Sequence, residues 1–135
     1  NGLEPNFVLI EESGWAKGLD SLTKILEGLL EKEKYQASQI QILVPHSRYI
    51  EEVEQATYQP NQKIGGIKEI NIESIYKFKG LESEIVIMII PNLESLESET
   101  TTDIKSLIYV GMSRATSMLI VIGDNAVKEL ANWNS

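Results

Sequence analysis

Two stretches of this chain are apolar at every position. One is Ile85-Val86-Ile87-Met88-Ile89-Ile90 and the other is Met118-Leu119-Ile120-Val121-Ile122. A half-exposed strand or helix would break such runs with polar residues, because one of its faces meets water. Both runs are far short of the roughly 18 apolar residues that a membrane span needs. They read instead as strands buried on both faces, which is the signature of a parallel sheet sandwiched between helices. These two segments therefore set the fold class: α/β, three layers, with a mostly parallel central sheet.

The rest of the chain supplies the other elements. Phe7 to Ile10 is a short apolar strand. Leu19, Leu22, Ile25, Leu26, Leu29 and Leu30 recur at helical spacing, with Gly28 a mild weak point and Lys32 and Lys34 near the helix end. Gln39 to Pro45 is a strand, which the proline ends. Ser47 reads as the N-cap of a short helix whose buried face carries Tyr49, Ile50 and Val53. Residues 58 to 66 form a loop, and 67 to 76 an extended stretch. A polar loop covers Asn92 to Thr102, and a helix follows through Ile104, Leu107, Ile108, Met112 and Ala115. Gly123-Asp124 closes the last strand, and Ala126, Val127 and Leu130 mark a terminal helix.

A length of 135 residues fits one domain, 1–135. Asn1 rather than Met stands first, and no signal-peptide pattern opens the chain, so we expect a segment of a longer protein. Cysteine is absent, which excludes disulfides, thiolate metal sites and cysteine nucleophiles. His46 is the one histidine, too few for a His-rich metal site, and it reads as a solvated loop residue. The formal net charge of −8 argues against strong nucleic-acid binding by the whole surface. One small contact face stays open, since net charge is a bulk property.

Open parallel sheets bind ligands beyond the carboxyl ends of their strands. That points to Glu11–Glu12, Pro45–Arg48, Tyr76–Glu82, Pro91–Leu93 and Gly123–Asn125. The chain contains no Gly-Lys dipeptide and hence no GxxxxGK[ST] loop, nor a GxGxxG loop. It has no triphosphate cradle of either glycine-rich kind.

Two segments carry candidate chemistry. Ser74-Ile75-Tyr76-Lys77-Phe78-Lys79-Gly80-Leu81-Glu82 joins two strands. Gly80 permits a close backbone approach, and Glu82 can accept hydrogen bonds from sugar hydroxyls; the bland alternative is a lysine-decorated turn. Tyr109-Val110-Gly111-Met112-Ser113-Arg114-Ala115 ends a helix just before a buried strand. Arg114 is one of only two arginines, with Arg48. A guanidinium suits phosphate oxygens, although a cation at a helix C-terminus is also simply favourable.

In this order, separated by a buried strand, the two segments resemble motifs V and VI of superfamily 1 helicases of the UvrD/Rep/PcrA type. The strand at Gln41 to Val44, followed by Ser47-Arg48 and a helix, looks like that family's strand upstream of motif V. Ser74 and Ser113 keep hydroxyls where the family has Thr, and Tyr76 replaces a His. Only 22 residues, 52 to 73, lie between the start of the second helix and Ser74, where many relatives carry a large helical insertion.

The resemblance implies a RecA-like domain of the P-loop NTPase type, the second motor domain of an ATP-dependent DNA helicase or translocase. Gly80 and Glu82 would line the ATP site, with Glu82 on the ribose. Arg114 would be the catalytic arginine finger on the γ-phosphate. Ser74, Tyr76, Ser47 and Arg48 would touch single-stranded DNA. ATP and Mg²⁺ would be held mainly by a separate N-terminal P-loop motor domain of the same protein. The isolated chain would be inactive, a monomer or weak oligomer, cytoplasmic and not membrane-bound. Two alternatives stand beside it. One is a receiver-like signalling module, opposed by Gly123-Asp124 where a lysine would be wanted. The other is a non-catalytic α/β interaction scaffold.

Overall fold

The computed structural model describes residues 6–9, 14–57, 66–75, 82–90, 106, 109 and 113–130. Five strands form one sheet: β1 (Asn6–Leu9), β2 (Ile40–Val44), β3 (Asn71–Ser74), β4 (Ser83–Ile90) and β5 (Ala115–Gly123). Their spatial order is β1-β5-β4-β2-β3, and every neighbouring pair is parallel. The two all-apolar runs are β4 and β5, side by side at the centre. From Ile85 to Ile90 and from Leu119 to Gly123 every residue is buried. The expected α/β class holds, and the described sheet is parallel throughout.

Helix α1 (Trp15–Glu27) covers one face of the sheet through Leu22 and Leu26, both fully buried. It starts four residues before its apolar stripe. Gly14 makes that start possible with φ 135°, a conformation L side chains rarely adopt, and its carbonyl accepts the Gly18 N–H at 3.2 Å. Residues Gly28–Lys32 then widen into a π-turn, closed by Glu33 N–H donating to the Gly28 carbonyl at 3.0 Å. Leu29 and Leu30 within that turn are both buried. Lys34, at φ 63°, turns the chain toward β2.

Helix α2 (Ile50–Thr57) packs Val53 and Thr57 inward, and Thr57 Oγ1 donates back to the Val53 carbonyl at 2.8 Å. The stretch expected to be extended from 67 divides into a 3-10 turn at Ile67–Glu69 and then β3. Gly66 precedes that turn at φ 84°, in the left-handed region. Helix α3 (Asn125–Leu130) is capped by Asp124, whose Oδ1 accepts the Val127 N–H at 3.0 Å. Among the described residues no helix is long and apolar enough to cross a membrane.

One polar residue interrupts the buried strand β2. Gln41, 4 % exposed, donates from Nε2 to the carbonyls of Asn71 (3.2 Å) and Ile42 (3.0 Å), and its Oε1 accepts from Asn71 Nδ2 at 2.7 Å. Gln41 and Asn71 are also register partners across β2 and β3. A slip of one residue would leave a buried amide unpaired, so this pair fixes how the edge strand docks. Truncating Ile87, which is fully buried in β4, to Ala should cost about 2–5 kcal/mol in urea unfolding. Asn71→Ala should cost less, about 1–3 kcal/mol, by leaving the buried Gln41 Oε1 without its donor while Nε2 keeps its backbone acceptors.

Candidate functional site

In an all-parallel sheet every strand enters from one edge and leaves at the other. Register therefore decides which loop residues meet. Ser83, the first residue of β4, pairs with Ala115, the first residue of β5. The residues just before them, Glu82 and Arg114, thus lead into neighbouring strands at the amino edge, where strands lie about 4.8 Å apart. Thirty-two positions apart in sequence, they become neighbours through the β4–β5 ladder alone.

This placement corrects one expectation. Tyr76–Glu82 was to lie beyond carboxyl ends, but Glu82 immediately precedes β4 and belongs to the opposite edge. Ser74 closes β3 and does lie at the carboxyl edge. A single motif-bearing segment thus has its two ends on opposite edges of the sheet. Gly80 and Tyr76 lie outside the described residues, as do Glu11–Glu12 and Pro91–Leu93.

The amino edge has a built form. Glu82 is exposed. Ser113 and Arg114 are helical and lead into β5 with no loop between. Arg114 is half-buried, and its Nε is shielded from solvent with no hydrogen-bond partner among the described residues. Such an orphaned donor is uncommon in native structures and marks strain or a function completed by another group. The ladder is irregular at this point. Two steps on β4, Ser83 to Ile85, face three on β5, Ala115 to Met118. This bulge leaves Thr116 and Ser117 both exposed beside Arg114. Bulges concentrate next to sites because they re-aim side chains. On the preceding helical residues Ser106, Tyr109 and Ser113 are exposed at spacings of three and four, and Tyr109 is 69 % exposed. Further along the same edge Glu84 accepts from Gln39 Nε2 at 2.7 Å. Beyond it opens a cleft of about 570 Å³ lined by Leu30, Tyr35, Ser38, Gly66 and Glu69, which no local pattern of residues signals.

The carboxyl edge gathers the other candidates about 25 Å away, the length of β4 at some 3.3 Å per residue. Val44 and Ser74 are register partners, and the Ile75 N–H donates to the Val44 carbonyl at 2.8 Å. Ser74 is buried at 2 % exposure, so its hydroxyl does not face outward. Ser47 and Arg48 follow Val44 in a 3-10 turn, Ser47–Tyr49. Ser47 does not cap it. His46 does, because His46 is the residue still in extended geometry, and its Nδ1 accepts the Arg48 N–H at 3.1 Å. The lone histidine is a half-buried structural cap rather than a solvated loop residue.

That turn also builds a stack. The Trp15 and Tyr49 ring centroids lie 4.3 Å apart with planes inclined by 34°. The Arg48 guanidinium sits 4.8 Å from the centroid of the Tyr49 ring and donates from Nη2 to Tyr49 Oη at 3.1 Å. The Trp15 indole N–H is shielded from solvent and has no partner among the described residues. Trp15 was not among the sequence candidates, since it precedes the helical stripe and meets Tyr49 only through the packing of α1 on α2. Among the described residues no three acidic or histidine side chains converge where a metal ion could sit.

A family model for AAA domains matches residues 16–126, from the start of α1 to α3. The chain belongs to this AAA domain family. No curated protein matches it. Among solved structures it is similar to the C-terminal domain of a possible DNA helicase from Lactobacillus plantarum WCFS1. The identity is 22 %, the TM-score 0.63, and the match covers 89 % of this chain and 73 % of that one. At that identity the likeness shows the fold, which is RecA-like.

For this AAA domain the orphaned Arg114 donor has a measurable consequence. A residue held for folding should destabilise when replaced, whereas one held for a ligand should not. Arg114→Met removes a buried unpaired N–H while keeping the apolar stem. The chemical denaturation midpoint of the variant should stay within about 0.5 kcal/mol of wild type or rise. A loss of 2 kcal/mol or more would assign Arg114 to the fold instead.

Proposed function

We propose that this AAA domain is the second motor domain of an ATP-dependent superfamily 1 helicase or translocase of the UvrD/Rep/PcrA type. The observation that supports the reading is the Ser83–Ala115 register pair, which puts the preceding Glu82 and Arg114 at the same sheet edge, where Arg114 Nε is shielded and has no partner among the described residues. Helicase resemblance in the sequence assigns these same two positions to ATP, and the fold neighbour is named for a possible DNA helicase.

In this reading ATP lies between the amino edge and a P-loop domain that supplies the phosphate cradle and Mg²⁺. Glu82 accepts from ribose hydroxyls, and Gly80 gives backbone access to the same cleft. Arg114 places fixed positive charge where negative charge builds on the transferring phosphoryl group. A planar guanidinium half-buried between a helix end and a strand is already oriented, so little reorganisation is needed at the moment of reaction. Single-stranded DNA runs along the carboxyl edge near Ser47 and Arg48, with Ser74 beneath, and the helicase resemblance adds Tyr76 to its contacts. The chain alone does not hydrolyse ATP, because it lacks a triphosphate cradle. The reading places the parent protein in the cytoplasm.

The test is Arg114→Ala in the full-length protein. ATP turnover should fall by about 10³- to 10⁵-fold, the usual range for an arginine finger, while circular dichroism and thermal melting stay at wild-type values. Turnover at the wild-type rate would remove the motor reading.

A further inference from the structure

We propose that the cleft lined by Leu30, Tyr35, Ala37, Ser38, Gly66 and Glu69 binds an alkyl cation, an ammonium or guanidinium group carried on an aliphatic stem. At about 570 Å³ it falls within the size range of small-ligand sites. It shares no described lining residue with the Glu82–Arg114 edge or with the proposed strand track, so it stands independently of both. Two short turns frame it. In one, the Gln39 N–H donates to the Gln36 carbonyl at 2.9 Å, and Gln39 Oε1 accepts the Gln36 N–H at 2.8 Å. Gln39 Nε2 ties that turn to Glu84 of β4 at 2.7 Å. In the other, Ile67–Glu69, the Glu69 N–H donates to the Gly66 carbonyl at 3.0 Å. The two turns meet where Gly66 faces Ala37: a Cβ built on Gly66 would lie 3.7 Å from the Ala37 Cβ. The cleft is thus preformed from anchored backbone, which lowers the ordering cost of binding.

The lining selects the chemistry of the ligand. Leu30 and Ala37 supply apolar surface, and Tyr35, itself packed against the core, adds a phenol. Ser38 adds a hydroxyl and Glu69 a carboxylate. Among the described residues no hydrogen bond or ion pair engages the side chains of Tyr35, Ser38 or Glu69. Glu84 and Gln39, alongside, are by contrast already paired with each other. Glu69 is the only charged residue in the described lining, and no lysine or arginine joins it there. A phosphate or carboxylate ligand would meet like charge with no compensating cation. A cation instead gains a charge-assisted hydrogen bond to Glu69, and the phenol and hydroxyl oxygens accept its remaining N–H groups. Its stem covers Leu30 and Ala37, as long cationic side chains cover apolar surface. The net charge of −8 draws cations toward the chain as a whole.

The experiment titrates two probes into the full-length protein and follows saturation transfer to their protons by NMR. Butylguanidinium and butylurea share a shape, and only the first is charged. Butylguanidinium should bind about threefold or more tightly than butylurea, the margin of one charge-assisted hydrogen bond at a partly exposed site. Glu69→Gln should bring butylguanidinium down to the level of butylurea and leave thermal melting unchanged, because the Glu69 carboxylate holds no other described residue. Ser38→Ala, on the facing turn, should weaken butylguanidinium in the same direction. Equal wild-type affinity for the two probes would overturn the proposal, as would no transfer to butylguanidinium, or undiminished binding of it by Glu69→Gln. A capped glycyl-arginyl-glycine tripeptide separates the two sources of such a cation. Transfer to its arginine side-chain protons, lost in Glu69→Gln, assigns the site to a side chain of a polypeptide. Transfer to butylguanidinium alone assigns it to a free cation.

Discussion

The β4–β5 ladder is the interaction on which the rest depends. It runs in parallel register from Ser83–Ala115 to Ile90–Gly123, and its residues are buried from Ile85 and Leu119 onward. Burying such side chains is worth about 1.5–3 kcal/mol each against leaving them exposed. The same ladder sets the geometry at both ends. At its amino end it brings Glu82 beside Arg114. Along its length it separates that edge from the one where β2 and β3 terminate. A shift of register would expose apolar residues and part the two candidate site residues in one step. Stability and site geometry are thus specified by the same contacts.

The two edges differ in how their side chains are held. Arg114 sits between a helix end and a strand, next to a bulge, so backbone placement orients it. Arg48 is held by side chains instead: a histidine cap, a tyrosine hydroxyl and an aromatic stack. Between them runs a sheet whose central strands allow little independent motion, because packed interiors respond by discrete repacking rather than smooth bending. If nucleotide occupies one edge and a strand the other, as proposed, the rigid body connecting them is β4 with β5. Flexibility would then belong to the joint with a second domain and not to this sheet.

Much of this was legible in the residues. Unbroken apolar runs at 85–90 and 118–122 demand a covered parallel sheet, and the leucine stripe from Leu19 to Leu30 demands a helix over it. Propensity could not show that the helix begins at Trp15, because Gly14 works there by conformation rather than by polarity. Periodicity could not show the π-turn, since Leu29 and Leu30 fit a regular helix on paper. Arg114 and Glu82 were legible as candidates, but their adjacency was not: it arises from strand order β5-β4, which local pattern does not encode. His46 was misread for a similar reason. A histidine in a turn has no sequence signature as a cap, whereas the serine after it does. The Trp15–Tyr49 contact needed the packing of two helices distant in sequence.

Polar satisfaction separates structural groups from functional ones here. In the interior, Gln41 is fully engaged with Asn71 and Ile42, and Thr57 donates to Val53. These groups make the core specific and ask nothing of a ligand. Among the described residues the buried side-chain atoms without partners are the Trp15 Nε1 and the Arg114 Nε. One belongs to the stack at the carboxyl edge and the other to the amino edge. An unpaired buried donor costs about 1–3 kcal/mol, a large fraction of a small domain's net stability. A chain that satisfies its core amides so completely has the means to satisfy these as well. That both exceptions fall at the edges, and neither in the core, is what a sheet would show if its ends were shaped for contacts made outside the chain.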